Sequence, residues 1–146
     1  MKLVIQRVSE AEVVVRGEAV ARIGPGFLVL LAAVEGDTPA SAEEAARRVA
    51  ALRVFDDEGG RMNRDLAAVG GSVLVVSQFT LAADLSRGRR PGFDKALRGD
   101  AALPLYERFV QALRAAGVPV ETGVFGERME VALVNDGPAT FLLETS

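Results

Sequence analysis

A chain of 146 residues, of which 49% are hydrophobic and 25% charged, is typical of a globular protein, and we expect residues 1–146 to form one domain. It has no histidine and no cysteine, which excludes Ser-His-Asp and Cys-His catalysis, disulfides and zinc sites with the usual ligands. The net charge of −3 gives no overall attraction for nucleic acid. No apolar run approaches the ~20 residues of a membrane span, and the first residues lack a signal-peptide core. We therefore expect a cytoplasmic protein with no membrane partner.

The first third of the chain predicts strands followed by a helix. Apolar segments at 13–15, 19–23 and 27–33 are separated by the glycine-containing turns RGE and GPG. A helix is predicted over 39–53, where Thr38 is a candidate N-cap and proline occupies the first helical position. Alanines at helical spacing give this helix a narrow apolar stripe, which is suited to close packing on a sheet.

The most acidic stretch, FDDEGGRMNRD at 55–65, is interpreted as a solvated turn rather than a metal site. It lacks the alternating Asp and Asn residues of a calcium-binding loop, and its Gly59-Gly60 pair is a turn signal. Only carboxylates could bind a metal in a chain without histidine or cysteine. The sequence therefore predicts neither a metal nor a cofactor.

The second half predicts one strand, one helix and then three short strands. The apolar run VLVVS at 73–77 indicates a buried strand, and a helix over 102–116 has one buried face and ends before Gly117. The last three strands are predicted at 118–124, 129–134 and 140–143. The pattern as a whole predicts an α/β domain with more strand than helix.

A basic stretch, SRGRRPGFDKALR at 86–98, precedes the second helix. It contains one acidic residue, Asp94, against five basic ones: Arg87, Arg89, Arg90, Lys95 and Arg98. Arginine is abundant throughout this chain, so the clustering rather than the residue type is the signal. It indicates a local surface for phosphate groups on a protein whose overall charge is negative.

Two polar segments interrupt otherwise apolar strands: SQFTL at 77–81 and NDGPAT at 135–140. The first is compatible with a strand end whose hydroxyls cap the following loop. The second is compatible with a tight turn, because Asn, Asp, Gly and Pro are the usual turn formers. From the residues alone, both of these structural interpretations stay open beside a functional one.

Taken together, the two segments resemble the signature pair of D-aminoacyl-tRNA deacylases. The resemblance extends along the chain through IQRVSEA, GGSVLVVSQFTL, GRRPGF, LYERFV, VETGVFG and LVNDGP, in that order. Ala139, Gly92 and the pair Glu127-Arg128 depart from the residues that are usual in the family. The resemblance implies a three-layer α/β/β fold with a curved, barrel-like sheet and two main helices.

The family resemblance also implies an activity that needs no histidine. The substrate is the ester of D-aminoacyl-tRNA, and glycyl-tRNA as well, with L-aminoacyl-tRNA rejected. Such an ester is already activated, so a positioned water and an oxyanion donor can suffice. The residues implied are Ser77, Gln78, Phe79 and Thr80, with the Phe79 N–H as the oxyanion donor. Thr80 is either a nucleophile or a positioning group, and we expect the latter because the chain offers no base.

A second set of residues is implied in substrate binding and chiral selection: Gly137, Pro138, Asn135, Arg7 and Met129. We expect a cis bond between Gly137 and Pro138, braced by Arg7 and inserted into the active site of a second copy in a homodimer. The basic residues Arg87, Arg89 and Arg90 are expected to contact the acceptor end of the tRNA. The alternatives are a non-catalytic tRNA-binding homodimeric module, which the scarcity of aromatic residues disfavours, and a homodimeric structural protein.

Overall fold

A six-stranded mixed sheet forms the centre of the computed structural model, which describes residues 1–146. The strands are β1 Lys2–Val15, β2 Glu18–Ile23, β3 Gly26–Ala32, β4 Phe55–Asp56, β5 Met62–Arg64, β6 Ser72–Ser77, β7 Val120–Thr122 and β8 Glu130–Glu144. The helices are α1 Pro39–Ala51, α2 Leu66–Val69 and α3 Gly99–Ala115, with a 3₁₀ helix at Phe79–Ala82. β4 and β5 form a separate two-stranded sheet.

The long strand β1 determines the curvature of the sheet. One of its edges pairs with β8 along nearly the whole strand, from Lys2 opposite Glu144 to Val14 opposite Glu130. Its other edge pairs first with β3 and then, beyond residue 10, with β2. Because β1 changes partners midway, the sheet bends on itself into the nearly closed, barrel-like form that was predicted.

Alternating side chains of β3 and β6 separate two hydrophobic cores. Val73 and Val75 point into the larger core, which contains the buried residues of α1 and α3. Leu74 and Val76 point to the opposite face, into a smaller core formed with β2 and the second half of β1. One layer of helices and two layers of strands follow from this alternation, as the predicted α/β/β class requires.

The two main helices are where the sequence predicts them, with different ends. Helix α1 ends at Ala51 rather than at residue 53, and it begins as predicted at Pro39, where the Thr38 N–H donates to Ser41 Oγ over 3.1 Å. Helix α3 begins at Gly99, three residues before the predicted start, and ends at Ala115, one residue before the predicted end. Neither helix is long and apolar enough to cross a membrane.

Several strand boundaries were wrong. The segment predicted at 13–15 is the end of the 14-residue strand β1. Of the segment predicted at 118–124, only Val120–Thr122 forms a strand, β7. The acidic stretch at 55–65 contains the paired strands β4 and β5, which residues 57–61 connect.

The largest correction concerns NDGPAT, which is not a tight turn. The segments at 129–134 and 140–143 are parts of the single strand β8, which continues through NDGPAT with two shifts of register against β1. The edge of β1 offers backbone partners on both sides of this segment. Continuous pairing therefore prevails over the local preference of Asn, Asp, Gly and Pro for turns.

Candidate active site

A cavity of about 420 Å³ opens at the end of β6. Three residues of the SQFTL segment, Ser77, Gln78 and Phe79, line it, and Met129 lies opposite in the same lining. β6 runs parallel to both β3 and β7, so the cavity is at the carboxyl end of adjacent parallel strands. Ligands bind preferentially at that end in sheets of this kind.

The backbone turns sharply after Ser77. The Gln78 N–H donates to the Leu31 carbonyl over 2.8 Å, which extends the pairing with β3 by one residue. The 3₁₀ helix then begins at Phe79, and the N–H groups at the start of a helix have no acceptor within it. The buried strand thus delivers Phe79 and Thr80 to the surface, with the Phe79 N–H as a candidate donor.

Thr80 is exposed beside the cavity rather than in its lining. Its hydroxyl oxygen accepts a hydrogen bond from the Gln78 side-chain amide. An amide does not remove protons at neutral pH, and neither a carboxylate nor an amine hydrogen-bonds to Thr80. The arrangement orients the hydroxyl but does not activate it as a nucleophile.

The floor of the cavity contains a buried tyrosine. The Tyr106 hydroxyl donates to the Val75 carbonyl over 3.2 Å, and its ring lies 5.5 Å from that of Phe125. Burial raises the pKa of Tyr106 from 10.0 to about 12. The phenol is therefore neutral at physiological pH and adds no charge to the cavity.

Glycine at position 123 makes room for Met129. A Cβ at this position would lie 2.6 Å from the sulfur of Met129, closer than non-bonded atoms approach. Any side chain at 123 would displace Met129 from its place. The cavity lining at this side therefore depends on the glycine as well as on the methionine.

Two aromatic rings and an arginine form one rim of the cavity. Phe79 and Phe93 pack edge to face, with their ring centroids 5.2 Å apart. The Arg98 guanidinium carbon lies 4.5 Å from the centroid of Phe79 and 5.3 Å from that of Phe93. The sequence does not predict three residues of this site: Phe93, Tyr106 and Arg98. Of these, Arg98 belongs to the basic stretch at 86–98, which is the feature of the sequence that points to it.

The NDGPAT segment forms a second, separate site candidate. The bond between Gly137 and Pro138 is cis, as predicted, and both residues are exposed. Neither residue lines the cavity beside Phe79. Within one chain, the structure does not bring the two polar segments together.

Partly buried polar contacts hold this second segment from beneath. Arg7 is only 6% exposed, and it donates to the Asp136 carbonyl over 3.0 Å and to the Val54 carbonyl over 2.6 Å. The Asn135 amide donates to the Arg7 carbonyl over 2.9 Å and to the Ala139 carbonyl over 3.2 Å. Each side chain thus satisfies two backbone carbonyls, which fixes the backbone on both sides of the exposed pair.

The Gly137 position is sterically restricted by this scaffold. A Cβ there would lie 2.8 Å from Asn135 Oδ1. Since the Asn135 amide nitrogen is held by two carbonyls, the side chain cannot move aside without losing hydrogen bonds.

The basic stretch forms an exposed loop with a closed base. Backbone bonds of 2.7 and 2.9 Å join Asp84 to Gly92, and Ser86 donates its hydroxyl and its N–H to the Asp84 carboxylate, which lowers the pKa of Asp84. Three arginines within the loop are exposed and form no ion pair: Arg87, Arg89 and Arg90. No group of three or more acidic side chains is placed to hold a metal ion.

Comparison with known proteins defines the class to which this fold and cavity belong. The family model described as D-Tyr-tRNA(Tyr) deacylase matches residues 4–144. The chain therefore belongs to the D-Tyr-tRNA(Tyr) deacylase family, which confirms the resemblance seen in the sequence.

Individual relatives are similar over their full lengths. A D-aminoacyl-tRNA deacylase of Symbiobacterium thermophilum is 57% identical, over 99% of this chain and 96% of the relative. One of Paracoccus denitrificans is 56% identical, over 100% and 98%. A solved structure described as c-Myc DNA Unwinding Element Binding Protein superposes with a TM-score of 0.94 at 38% identity, covering 100% and 99%. A solved structure described as a probable eukaryotic D-amino acid tRNA deacylase has a TM-score of 0.83 at 21% identity, covering 98% of each chain, and shows the shared fold.

Proposed function

We propose that this protein hydrolyses the ester bond of D-aminoacyl-tRNA, releasing the free D-amino acid and tRNA. The observation that carries the proposal is the cavity at the end of β6, lined by Ser77, Gln78 and Phe79 in a chain that belongs to the deacylase family. The relatives named above as D-aminoacyl-tRNA deacylases match this chain from end to end. The protein is accordingly a hydrolase that acts on an activated ester.

The chemistry relies on positioning. Water attacks the ester carbonyl carbon, the bond from that carbon to the ribose oxygen breaks, and the ribose oxygen leaves with a proton. The negative charge that develops on the carbonyl oxygen is held by the Phe79 N–H, and removing one such donor typically costs ~3 kcal/mol of barrier stabilisation. Thr80, oriented by Gln78, positions the water, and the neighbouring ribose hydroxyl of the tRNA assists.

Chiral selection requires the second polar segment. We assign the carbonyls of Gly137 and Pro138 to the α-amino group of the substrate, with Arg7 and Asn135 as their support. A D-amino acid then directs its side chain away from this backbone, whereas an L-amino acid directs its side chain into it. Discrimination arises from steric rejection of the L form, and glycine, which has no side chain, is accepted.

We propose a homodimer with sites shared between subunits, and the separation of the two segments within one chain supports this proposal. Gly137 and Pro138 do not line the cavity of their own chain, so we assign them to the cavity of a second copy. Two features of β8 support this assembly. The strand pairs only with β1, and it exposes large apolar side chains on either side of the segment, Val134 at 50% and Leu142 at 81%.

The direct test is to incubate the protein with D-tyrosyl-tRNA, L-tyrosyl-tRNA and glycyl-tRNA and to follow the loss of ester. Hydrolysis of the D and glycyl esters, with the L ester spared, is expected. Binding of all three without turnover would instead establish a non-catalytic nucleic-acid-binding module. The solved relative described as a DNA unwinding element binding protein is the observation that favours this second candidate.

A complementation experiment tests the shared site. Phe79→Pro removes the proposed oxyanion donor, and Gly137→Ala crowds the proposed amino-group site, so each variant alone should be impaired. When the two variants are dissociated, combined and allowed to reassociate, half of the dimers should contain one subunit of each variant. Each such dimer has one intact site, so about a quarter of the wild-type activity should return. If each site lies within one chain, mixing restores nothing.

A further inference from the structure

We propose that Arg98 binds a phosphate of the substrate at the mouth of the cavity, the phosphodiester that joins the terminal nucleoside to the rest of the tRNA. This assignment rests on the proposed function and names a residue that contacts the polynucleotide rather than the amino acid. It is distinct from the exposed loop arginines, because Arg98 lines the cavity itself.

The guanidinium is presented with its hydrogen-bond donors free. It lies over the face of Phe79 and near Phe93, at 4.5 and 5.3 Å from their centroids. A guanidinium that stacks through its flat face keeps its N–H donors at the edge, where they can meet two phosphate oxygens at once. Stacking also restrains the side chain before the ligand arrives, which lowers the entropy lost on binding.

The charges of the cavity favour an anion at this rim. Arg98 and Glu127 are the two oppositely charged side chains in the lining. The Glu127 carboxylate is paired with Arg16 at 3.0 Å, whereas Arg98 takes part in none of the seven ion pairs of the chain. The cavity therefore contains one positive charge that no carboxylate of the protein neutralises.

The size of the cavity fixes which part of the substrate reaches Arg98. A volume of about 420 Å³ suits a small molecule or the end of a larger one, so the polynucleotide must leave through the mouth. The exposed lining residues mark that mouth: Phe79, Arg98 and Gly99 on one side, and Gly126 and Glu127 on the other. Glu127 is paired with Arg16, so Arg98 is the unpaired charge at the mouth, and a polyanion that leaves the cavity is attracted to the Arg98 side.

The chain continues this cationic path beyond the rim. Phe93, which packs on Phe79 and lies near Arg98, directly follows Gly92 at the closed base of the loop that holds the exposed arginines. A strand of phosphates that leaves the cavity at Arg98 is thus directed towards this loop. Arg98 is the innermost contact of the path and the loop arginines are outer contacts.

The test compares two substrates that differ in this phosphodiester: D-tyrosyl-tRNA, and the D-tyrosyl ester of adenosine, which has no phosphate. For Arg98→Ala, we expect the KM for D-tyrosyl-tRNA to rise roughly 10- to 100-fold, the range of a charged hydrogen-bonded contact, with kcat changed less than about threefold. The KM for the adenosine ester should rise much less, by under about threefold, because this substrate lacks the phosphate that Arg98 contacts. Arg98→Lys keeps the charge but lacks the flat guanidinium that stacks on the ring. Its KM for D-tyrosyl-tRNA should lie between those of the wild type and of Arg98→Ala.

Arg47→Ala is the matched control, because it removes one exposed positive charge from α1, which contributes nothing to the cavity lining. For Arg98→Ala, the slope of log KM for the tRNA substrate against log salt should decrease by ~0.7, the value of one single-strand phosphate contact. Equal changes in KM for both substrates would mean that Arg98 only supports the cavity, and this would overturn the proposal. A salt slope equal to that of Arg47→Ala would overturn it as well.

If the wild-type protein leaves D-tyrosyl-tRNA intact, the proposed function fails and this assignment fails with it. Thermal melting of each variant verifies the fold.

Discussion

The two polar segments of this chain differ in where their partners lie. The segment at 77–80 ends a buried strand, and its residues border or line a cavity within the same chain. The segment at 135–139 is supported from beneath by Arg7 and Asn135, but Gly137 and Pro138 are exposed and lie outside the lining of that cavity. The first segment borders a cavity, and the second is an exposed backbone on a rigid support.

Under the proposed function, this difference gives distinct tasks to the two segments. Chemistry on an ester requires a concave environment with aimed donors, which the first segment has. Steric selection requires a backbone that does not yield, which the partly buried hydrogen bonds from Arg7 and Asn135 provide. In the proposed homodimer, the two tasks are combined because the rigid segment of one copy enters the cavity of the other.

The largest effect is expected from a methyl group at Gly137. In Gly137→Ala, the new Cβ would press on Asn135 Oδ1, and the amino-group site would be displaced. A misplacement of ~1 Å can cost ~100-fold in rate, so we expect a loss of about 100- to 1,000-fold in kcat/KM for D-tyrosyl-tRNA with the fold intact. Gly24→Ala tests whether any exposed glycine is equally sensitive, since Gly24 lies outside the cavity lining and a Cβ there meets nothing within 4 Å. An unaltered rate in Gly137→Ala would separate this segment from the chemistry.

Removal of the support should affect stability as well as activity. In Arg7→Met, the carbonyls of Val54 and Asp136 lose their buried donor, and each costs ~1–3 kcal/mol when left unsatisfied. We expect the free energy of unfolding in urea to fall by about 2–5 kcal/mol, and L-tyrosyl-tRNA to be rejected less strictly. Arg22→Met removes an exposed arginine that pairs with Glu12 and should leave unfolding nearly unchanged. Equal stability of the two variants would contradict a supporting role for Arg7.

A smaller effect is expected from the hydroxyl of the first segment. Thr80→Ala should lower kcat by roughly 10- to 100-fold, within the range of a positioning effect, and should retain measurable turnover. Thr80→Ser keeps the hydroxyl that Gln78 orients and should recover most of the rate. Complete loss of turnover in Thr80→Ala, together with an acyl group trapped on Thr80 in the wild type, would establish covalent catalysis instead.

The sequence predicts the first segment better than the second, for a physical reason. Val73 to Val76 form a short, uninterrupted apolar run that is rich in β-branched valine and follows a Gly-Gly turn signal, and these local features favour a buried strand. The polar residues at its end are therefore placed correctly without any knowledge of the remaining fold. The two main helices are predictable for the same reason, because their buried stripes are local patterns.

The course of β8 could not be deduced in this way. Asn135, Gly137 and Pro138 have the local signature of a turn, and only the length of β1 keeps the strand continuous through them. The contact between Arg98 and Phe79 likewise joins residues from either side of a loop, and no periodicity records it. Interactions between segments that are distant in sequence decided both outcomes, and the family resemblance identified the segment without revealing its path.

The exposed arginines of the loop should have a modest, salt-dependent effect on the binding of tRNA. This effect concerns the whole substrate and does not distinguish one polar segment from the other. In a variant with Arg89→Ala and Arg90→Ala, we expect the KM for D-tyrosyl-tRNA to rise by up to about tenfold at low salt. The slope of log KM against log salt should decrease by ~1.4, the value of two single-strand contacts. A variant with Arg47→Ala and Arg48→Ala removes the same charge from α1. Equal slopes in the two variants would show that the loop is only a solvated surface.

The smallest effect concerns the floor of the first cavity and appears only at alkaline pH. Because burial raises the pKa of Tyr106 from 10.0 to about 12, the unfolded chain releases this proton first as the pH increases. Stability should therefore fall as the pH rises from about 10 to about 12, and this component should be missing in Tyr106→Phe. At neutral pH, the phenol is protonated in both states, and the variant should differ only by the bond to the Val75 carbonyl, about 1 kcal/mol. Since Tyr106 is the single tyrosine of the chain, its ultraviolet titration reports this pKa directly. Titration near 10 in the folded protein would mean that water reaches the hydroxyl, and that the first segment borders an open cleft rather than a sheltered site.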